Sequence, residues 1–224
     1  MSGPSRPSGE VAWRHDGSGR LGLEMTYFVR QEDGWLFNGS TEATEGDATW
    51  QVSYQLIVDS AWRTRRASVN LRVGDTASSV VITGDGAGHW QVDGTDAPHL
   101  TGCLDVDLES SVLTNVFPVH RLAMAVGESA DAPAVYVRVA ELAVGRLTQR
   151  YTRLPDDDVG QRYDYEAPAF DVRCVVSYEK SGFVRAYPEI ALRVRLGGET
   201  ARSGYPLGDA APVAPSHTSG RHAV

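Results

Sequence analysis

The sequence predicts an all-β protein built on one antiparallel sheet, strongly curled or closed, with one face turned inward. Three observations lead to this prediction. Apolar and polar residues alternate in six separate runs, clusters of turn residues separate the runs, and no long stretch has a helical period. An antiparallel sheet with one buried face has this pattern.

The alternating runs define the predicted strands in chain order. In the first of them, Leu23, Met25, Tyr27 and Val29 occupy every second position and are predicted to share the inner face. Turn residues such as Glu32-Asp33-Gly34 follow the runs. The runs are residues 23–29, 52–58, 69–73, 135–139, 170–178 and 190–196.

Two of these strands resemble each other, which is a sign of internal duplication. Residues 50–58 and 170–178 each precede a turn, an aromatic residue (Trp62 or Phe183) and a strand rich in Arg and aliphatic residues. The alternative is that any two amphipathic strands look alike. Both interpretations stay open.

Length and composition predict a single domain. Residues 10–196 are expected to form the ordered core, because all-β rolls of this size fold as one unit. Residues 1–9 and 197–224 are rich in Ser, Pro, Gly and Ala, and we expect both to be disordered tails. The 42% of hydrophobic residues is enough for a sizeable core.

Charge and targeting features restrict the partners and the compartment. The net charge of -8 argues against nucleic acid and anionic membranes as partners. No apolar stretch approaches the roughly 20 residues of a membrane span, and residues 1–9 do not resemble a signal peptide. We therefore expect a cytoplasmic protein in which Cys103 and Cys174 are unpaired.

Motifs for metal binding and nucleophilic catalysis are absent from the sequence. The six histidines are scattered, and no His-Glu-x-x-His or Cys-x-x-Cys occurs. A Cys103–His120 pair is conceivable as nucleophile and base, but a lone Cys on a strand is more typical of a small buried hydrophobe. We expect no metal and no cofactor.

The most informative stretch is residues 102–122. If its first part is extended, Cys103, Asp105 and Asp107 share one face. A short helix or turn is predicted at residues 110–115, followed by a strand at residues 119–126 that carries Arg121. This set is either a structural network of Asp, Arg and Asn115, or a polar pocket or acid–base pair.

Two arginines form a second candidate site. Without a bulge, Arg63 and Arg65 lie on the same face as the apolar residues Val69 and Leu71. Charges on an apolar face are costly unless they are paired or meet a wet cavity. They either bind an anionic head group, or a bulge turns them to solvent, or they lie at a strand end beyond the sheet.

One central block and several residues outside it form a recognisable pattern. The residues are Gly102-Cys103, Asp105-Val106-Asp107-Leu108, Ser111, Thr114-Asn115, Pro118-Val119, Arg121-Leu122, Trp62-Arg63-Thr64-Arg65, Gln149, Tyr151-Thr152, Tyr163, Tyr165, Gly182-Phe183-Val184 and Tyr187-Pro188. This pattern resembles the signature of a bacterial glycolipid-binding family, and the resemblance spans most of residues 11–196. The chain departs from the expected pattern at Val112, where Pro is expected, and at Phe117, where Leu is expected.

The resemblance implies a fold similar to that of the periplasmic lipoprotein-localisation carriers. In that fold a curved antiparallel sheet forms an open roll, or half-barrel, around an apolar cavity. Within it we expect a pocket lined by some of Tyr54, Leu56, Val69, Leu71, Val172 and Cys174. The expected ligand-binding residues are Arg63, Arg65, Asp105, Asn115, Arg121, Tyr54 and Tyr151.

Three hypotheses for function follow. The first is a binder of an amphipathic small molecule, whose apolar part lies on the inner aliphatic face and whose head group meets the polar residues. The second is a templating enzyme, a cyclase or isomerase acting on a bound hydrophobic intermediate. The third is an interaction module with a filled core. The sequence leaves the ligand and the oligomeric state open.

Overall fold

The structure is a computed structural model that describes residues 8–17 and 19–195. Most of the two predicted tails therefore lies outside the described residues. Residues 8 and 9 belong to the first strand, so the sheet begins two residues before the predicted core. The strands are β1 Ser8–Gly17, β2 Arg20–Gln31, β3 Gly34–Glu45, β4 Ala48–Asp59, β5 Thr64–Val73, β6 Thr76–Gly84, β7 Trp90–Val92, β8 Thr95–Asp96, β9 Asp105–Leu108, β10 Ser129–Asp131, β11 Ala134–Val137, β12 Val144–Leu147, β13 Arg150–Leu154, β14 Arg162–Ala167, β15 Val172–Tyr178, β16 Val184–Tyr187 and β17 Ala191–Val194.

One large antiparallel sheet dominates the fold. Its fourteen strands run in the order β10-β13-β14-β15-β16-β17-β1-β2-β3-β4-β5-β6-β7-β8. Strand β1 pairs with β2 on one side and with β17 on the other, so it joins the N-terminal hairpins to the C-terminal ones. The two edge strands, β10 and β8, do not pair with each other. The prediction of a curved, open all-β roll is confirmed.

The prediction of a single sheet is wrong in one respect. A second sheet has three strands in the order β12-β11-β9, and β9 runs parallel to β11. Parallel neighbours need a long crossover, and here the chain between β9 and β11 supplies it. All four residues of β9 are buried, as expected for a strand that is covered on both faces.

The connection after β9 is helical where a strand was predicted. A 3₁₀ turn at Leu113–Asn115 leads into helix α1, Val116–Leu122. The β-branched residues and Pro118 suggested an extended chain, but Pro118 lies in the first helical turn, where its missing N–H is not needed. Among the described residues, no helix is long and apolar enough to cross a membrane.

Helix α1 and the turn before it fill part of the roll. Phe117 packs against Phe37 on β3, with ring centroids 5.4 Å apart, and the hydroxyl of Thr41 donates to the Ser110 carbonyl. From the other half of the sheet, the Tyr178 hydroxyl donates to the Asn115 carbonyl. The segment after β9 is thus held on the inner face of the large sheet by contacts to both halves.

The inner face of β2 is the opposite of the predicted one. Leu23 and Tyr27 are exposed, at 47% and 55%, whereas Glu24 and Thr26 are fully buried. The apolar alternation in this strand therefore lies on the outer surface. The acidic residue Glu24 points into the core where an apolar side chain was predicted.

Candidate functional site

A cavity of about 370 Å³ lies inside the roll. One wall comes from β1 and β14–β16 of the large sheet. The other comes from β9, β11, β12 and the turn after β9. The apolar lining consists of Leu108, Val112, Leu147, Ala167, Phe170, Val172 and Ile190. Of the six residues predicted to line a pocket, only Val172 does so here, while Tyr54, Leu56, Val69 and Leu71 pack in the solid core.

Polar groups converge on the same cavity. Asp107 and Asn115 reach it from the inner segment, and Tyr165 and Tyr187 from the sheet. Burial raises the pKa of both phenols well above the ordinary value, and the two hydroxyls also interact with each other. An apolar space with a few placed polar groups is typical of a small-molecule site.

The cavity reaches solvent beside a set of charged residues. Arg20 lies there, with its guanidinium 3.0 Å from a Glu45 carboxylate oxygen and 3.3 Å from a Glu109 oxygen. Arg138, which is exposed, also lines this part of the cavity. We call the buried side of the lining, where Asp107 and His15 lie, the enclosed end, and the exposed side with these ion pairs the open end.

Behind the cavity wall, Glu24 is the centre of a buried hydrogen-bond network. Its carboxylate accepts from the Tyr54 hydroxyl at 2.6 Å, from the Val112 backbone N–H at 2.8 Å, and from the Ser111 hydroxyl. His15 Nε2 lies 3.1 Å from its second oxygen. Glu24 thereby ties β1 and β4 to the inner segment.

His15 connects this network to the cavity. Its side chain is 1% exposed, and it lines the cavity next to Ser111. Nε2 is turned to Glu24, while Nδ1 is buried and has no hydrogen-bond partner among the described residues. A buried polar atom without a partner is uncommon and calls for a ligand, water or another explanation.

Tyr54, a predicted ligand-binding residue, belongs to the network and not to the cavity lining. Its hydroxyl contacts Glu24 and is 2.6 Å from the Thr26 hydroxyl. Gly39 lies directly opposite on β3, and a Cβ there would come within 2.3 Å of the Tyr54 ring. The glycine therefore gives the phenol room to cross the strand towards Glu24.

Asp107 is the one carboxylate buried at the enclosed end of the cavity. Thr114 Oγ1 donates to its Oδ1 at 2.9 Å. Burial raises the pKa of Asp107 to about 6, and this hydrogen bond from Thr114 opposes the shift only in part. Asp107 therefore titrates close to neutral pH while facing the cavity.

The raised pKa of Asp107 predicts a pH dependence of stability. Between its ordinary value of 3.8 and about 6, the folded protein holds a proton that the unfolded chain has lost. Stability from this group is therefore present below about pH 4 and is lost as the pH rises through 6. The loss should amount to about 1 to 3 kcal/mol.

The measurement compares urea unfolding of the wild type and Asp107→Asn between pH 4 and 7. We expect the variant to gain stability relative to the wild type as the pH rises, because Asn does not ionise. A stability difference between the two proteins that stays constant from pH 4 to 7 would show that the pKa of Asp107 is not raised.

Asp105 and Arg121 form a buried ion pair outside the cavity lining. Arg121 Nη2 lies 2.5 Å from Asp105 Oδ2, and Nε lies 3.1 and 3.2 Å from the two oxygens. Asp105 is 1% exposed; burial raises the pKa of its carboxyl and Arg121 opposes this. Arg121 is thus the partner of Asp105, and it is Asp107, not Asp105, that reaches the cavity.

The predicted arginine pair lies at the β4–β5 turn, away from the cavity. The register shifts between Ile57 and Val58, which leaves Arg65 as the bulged residue opposite them. Arg63 Nε lies 3.0 Å from an Asp59 oxygen, and Arg65 Nη1 lies 3.6 Å from the same oxygen. Arg65 is therefore at a bulge, and Arg63 lies just before β5, at the strand end.

Asn115 and Tyr151 lie together near the enclosed end. Asn115 lines the cavity and donates through Nδ2 to the Tyr151 hydroxyl at 3.1 Å. Tyr151 itself is fully buried behind it. Both cysteines are free, as predicted, with Cys103 buried near β9 and Cys174 half-buried on β15.

Sequence reasoning missed His15 and Glu24. Glu24 and Thr26 occupy alternate positions of β2, and this alternation was the signal for an inward polar face. The apolar residues Leu23, Met25 and Tyr27 were assigned to the core instead. His15 is likewise at every second position with Val11 and Trp13, which are both buried. This alternation on β1 predicts that His15 also faces the core.

Comparisons with known proteins agree with this architecture. Residues 10–193 match the model of a family described as "Putative glycolipid-binding". The crystal structure of a DUF1089 family protein from Pseudomonas aeruginosa is similar, with a TM-score of 0.67 and 27% identity over 86% of this chain and 94% of that chain. No curated protein matches. Because the family model covers most of the sequence, the chain belongs to the family described as "Putative glycolipid-binding".

Proposed function

We propose that the protein binds one amphipathic small molecule in the cavity between β14–β16 and the segment after β9. The single observation that carries this proposal is the convergence of an apolar wall and several polar groups on one cavity that is open to solvent on one side. The ligand's apolar part would lie against Val172, Phe170 and Leu147. The family's description supports a binding role in general.

The size of the cavity limits the ligand. A volume of about 370 Å³ is near the lower end of small-molecule sites, which run from roughly 300 to 1,000 Å³. The cavity takes a ring system or a short chain, and a longer chain would extend past Arg138 into solvent. The polar end offers a phenol donor from the Tyr165–Tyr187 pair and an acceptor in Asp107, which suits a head group with hydroxyls.

Six of the seven residues expected to bind ligand are better assigned to structural roles, since Tyr54 belongs to the Glu24 network and Tyr151 is buried behind Asn115. Arg63 and Arg65 hold Asp59 at a turn, and Arg121 holds Asp105 behind the cavity. Asn115 remains a direct ligand contact in our proposal.

Native mass spectrometry of the protein purified from the cytoplasmic fraction of its own host tests the proposal. The two free cysteines support a cytoplasmic location, where thiols stay reduced. We expect a co-purifying molecule with both an apolar and a polar part. A purely polar adduct, or recovery of the protein only from outside the cytoplasm, would contradict the respective part of the proposal.

Blocking the cavity should abolish binding. Val172→Trp places a large ring in the apolar wall, and we expect it to weaken binding of octyl glucoside, used below its micellar concentration, by at least roughly tenfold. Isothermal titration calorimetry measures the change. The control is Val175→Trp, on the exposed face of the same strand, which should bind like the wild type. Equal affinity in both variants would place the ligand elsewhere.

A further inference from the structure

Asp107 differs from the other buried carboxylates of the described residues in having no basic partner. Three carboxylates are buried there, those of Glu24, Asp105 and Asp107. Glu24 lies beside His15, and Asp105 lies beside Arg121. A buried carboxylate that ionises without a cation nearby is costly. Asp107 is therefore the buried acidic group for which a cation from outside the chain would be most favourable.

The surroundings of Asp107 leave it open to a ligand. The residue lines the cavity and is 8% exposed, more than any other buried charged residue that is described. Its hydrogen-bond donors are the Thr114 hydroxyl and the Gln149 side chain, which are both neutral. Neutral donors offset only part of the cost of burying a charge, and a cation in the cavity would offset more of it.

Aromatic rings line the same space as this carboxylate. Tyr136 is the register partner of Asp107 on the parallel strand β11, so the two side chains share one face of the small sheet. Tyr165 and Tyr187 approach from the large sheet, with ring centroids 5.7 Å apart. Burial raises the pKa of all three phenols, and the negative charge of Asp107 raises it further. The faces of such rings attract cations.

The charged groups around the cavity are mostly acidic. Four carboxylates and two guanidinium groups line it, namely those of Glu45, Asp107, Glu109, Glu189, Arg20 and Arg138. Arg20 is engaged by Glu45 and Glu109 at the open end. Arg138 is exposed, where solvent screens its charge. The lining therefore repels an anionic head group from the enclosed end and attracts a cationic one.

We infer that the head group of the bound molecule is a protonated amine, which pairs with the Asp107 carboxylate and lies against the rings of Tyr165 and Tyr187. This rests on the proposed function, since the amine must belong to the molecule that the cavity holds. The ammonium N–H groups donate to the carboxylate, and the phenol oxygens are further acceptors. The apolar part of the molecule extends along the wall at Val172 towards the open end.

Three amphiphiles with the same octyl chain test the charge of the head group in the wild type: octylammonium, octyl glucoside and octanoate. Isothermal titration calorimetry at about pH 7.5 keeps Asp107, with its pKa of about 6, ionised and the amine protonated. About 0.15 M salt screens the general attraction of a cation to an acidic protein, and all three are used below their micellar concentrations. We expect octylammonium to bind at least roughly tenfold more tightly than either of the others.

The same titrations separate this inference from the proposed function. Octyl glucoside that binds as tightly as octylammonium, or octanoate that binds most tightly, would overturn the amine and leave an amphiphile-binding cavity. If none of the three binds, the proposed function fails and the amine with it. These outcomes are read from the wild type and do not depend on the folding of any variant.

Asp107→Asn removes the charge and keeps the shape of the side chain. We expect this variant to bind octylammonium and octyl glucoside within roughly threefold of each other, because the ion pair is lost. The control is Asp75→Asn, which removes the same charge from the exposed β5–β6 turn and should keep the wild-type preference. A preference that survives in Asp107→Asn would overturn the inference. A preference that depends on Asp107 but is unchanged in Val172→Trp would support the amine and overturn the apolar part of the proposed function.

Discussion

Replacement of Glu24 with alanine is expected to lower the free energy of unfolding by about 3 to 5 kcal/mol, the usual cost of breaking a buried charged network. The carboxylate accepts hydrogen bonds from Tyr54, Ser111 and the Val112 backbone, and it holds His15. Without it, these buried donors have no acceptor. The inner segment would also lose one of its connections to the sheet.

Thermal unfolding measures this effect as a decrease of roughly 10 °C in the melting temperature. The matched control is Glu42→Ala on β3, because Glu42 is exposed and its contact with Gln51 lies on the outer surface. That variant should change stability by less than about 0.5 kcal/mol. If Glu24→Ala and Glu42→Ala have the same melting temperature, the buried network contributes little to stability.

The period-two pattern predicted the strands well where a strand has one apolar face. In β4, Val52, Tyr54, Leu56 and Val58 are all buried, as the alternation requires. The open roll follows from a succession of such strands with short turns. Strands of this kind can therefore be predicted from the local sequence alone.

The pattern failed for β2 because the decisive contacts are distant in sequence. Glu24 is stable in the core only through partners such as Ser111, which is 87 residues away. A local rule sees an acidic residue between Leu23 and Met25 and assigns it to solvent. Buried polar networks are invisible to periodicity for this reason.

The helix after β9 was missed for a different reason. Residues 116–122 contain two valines and a phenylalanine, which favour strand by propensity, and a proline, which disfavours the interior of a helix. Tertiary packing of Phe117 against Phe37 overrides that preference in a helix of only seven residues. The family resemblance identified this block as specific, but the side chain that reaches the cavity is Asp107, not Asp105.

The second large effect is expected for Arg121→Met. Asp105 is 1% exposed and its described hydrogen bonds all come from Arg121. Removal of the guanidinium leaves a buried carboxylate without compensation, which typically costs about 3 to 5 kcal/mol. We expect the melting temperature to fall by roughly 10 °C at neutral pH. Acidification should recover part of the loss, because protonated Asp105 no longer needs a cation.

A double-mutant cycle shows whether this pair is structural. In Asp105→Asn/Arg121→Met the uncompensated charge is gone, so the double variant should be more stable than Arg121→Met alone, with a coupling energy of about 1 to 3 kcal/mol. Octyl glucoside should bind the folded double variant like the wild type, because neither residue lines the cavity. Loss of binding in a variant that keeps wild-type stability would instead assign Asp105 and Arg121 to the ligand site, and the cavity would have to extend behind β9 to reach them.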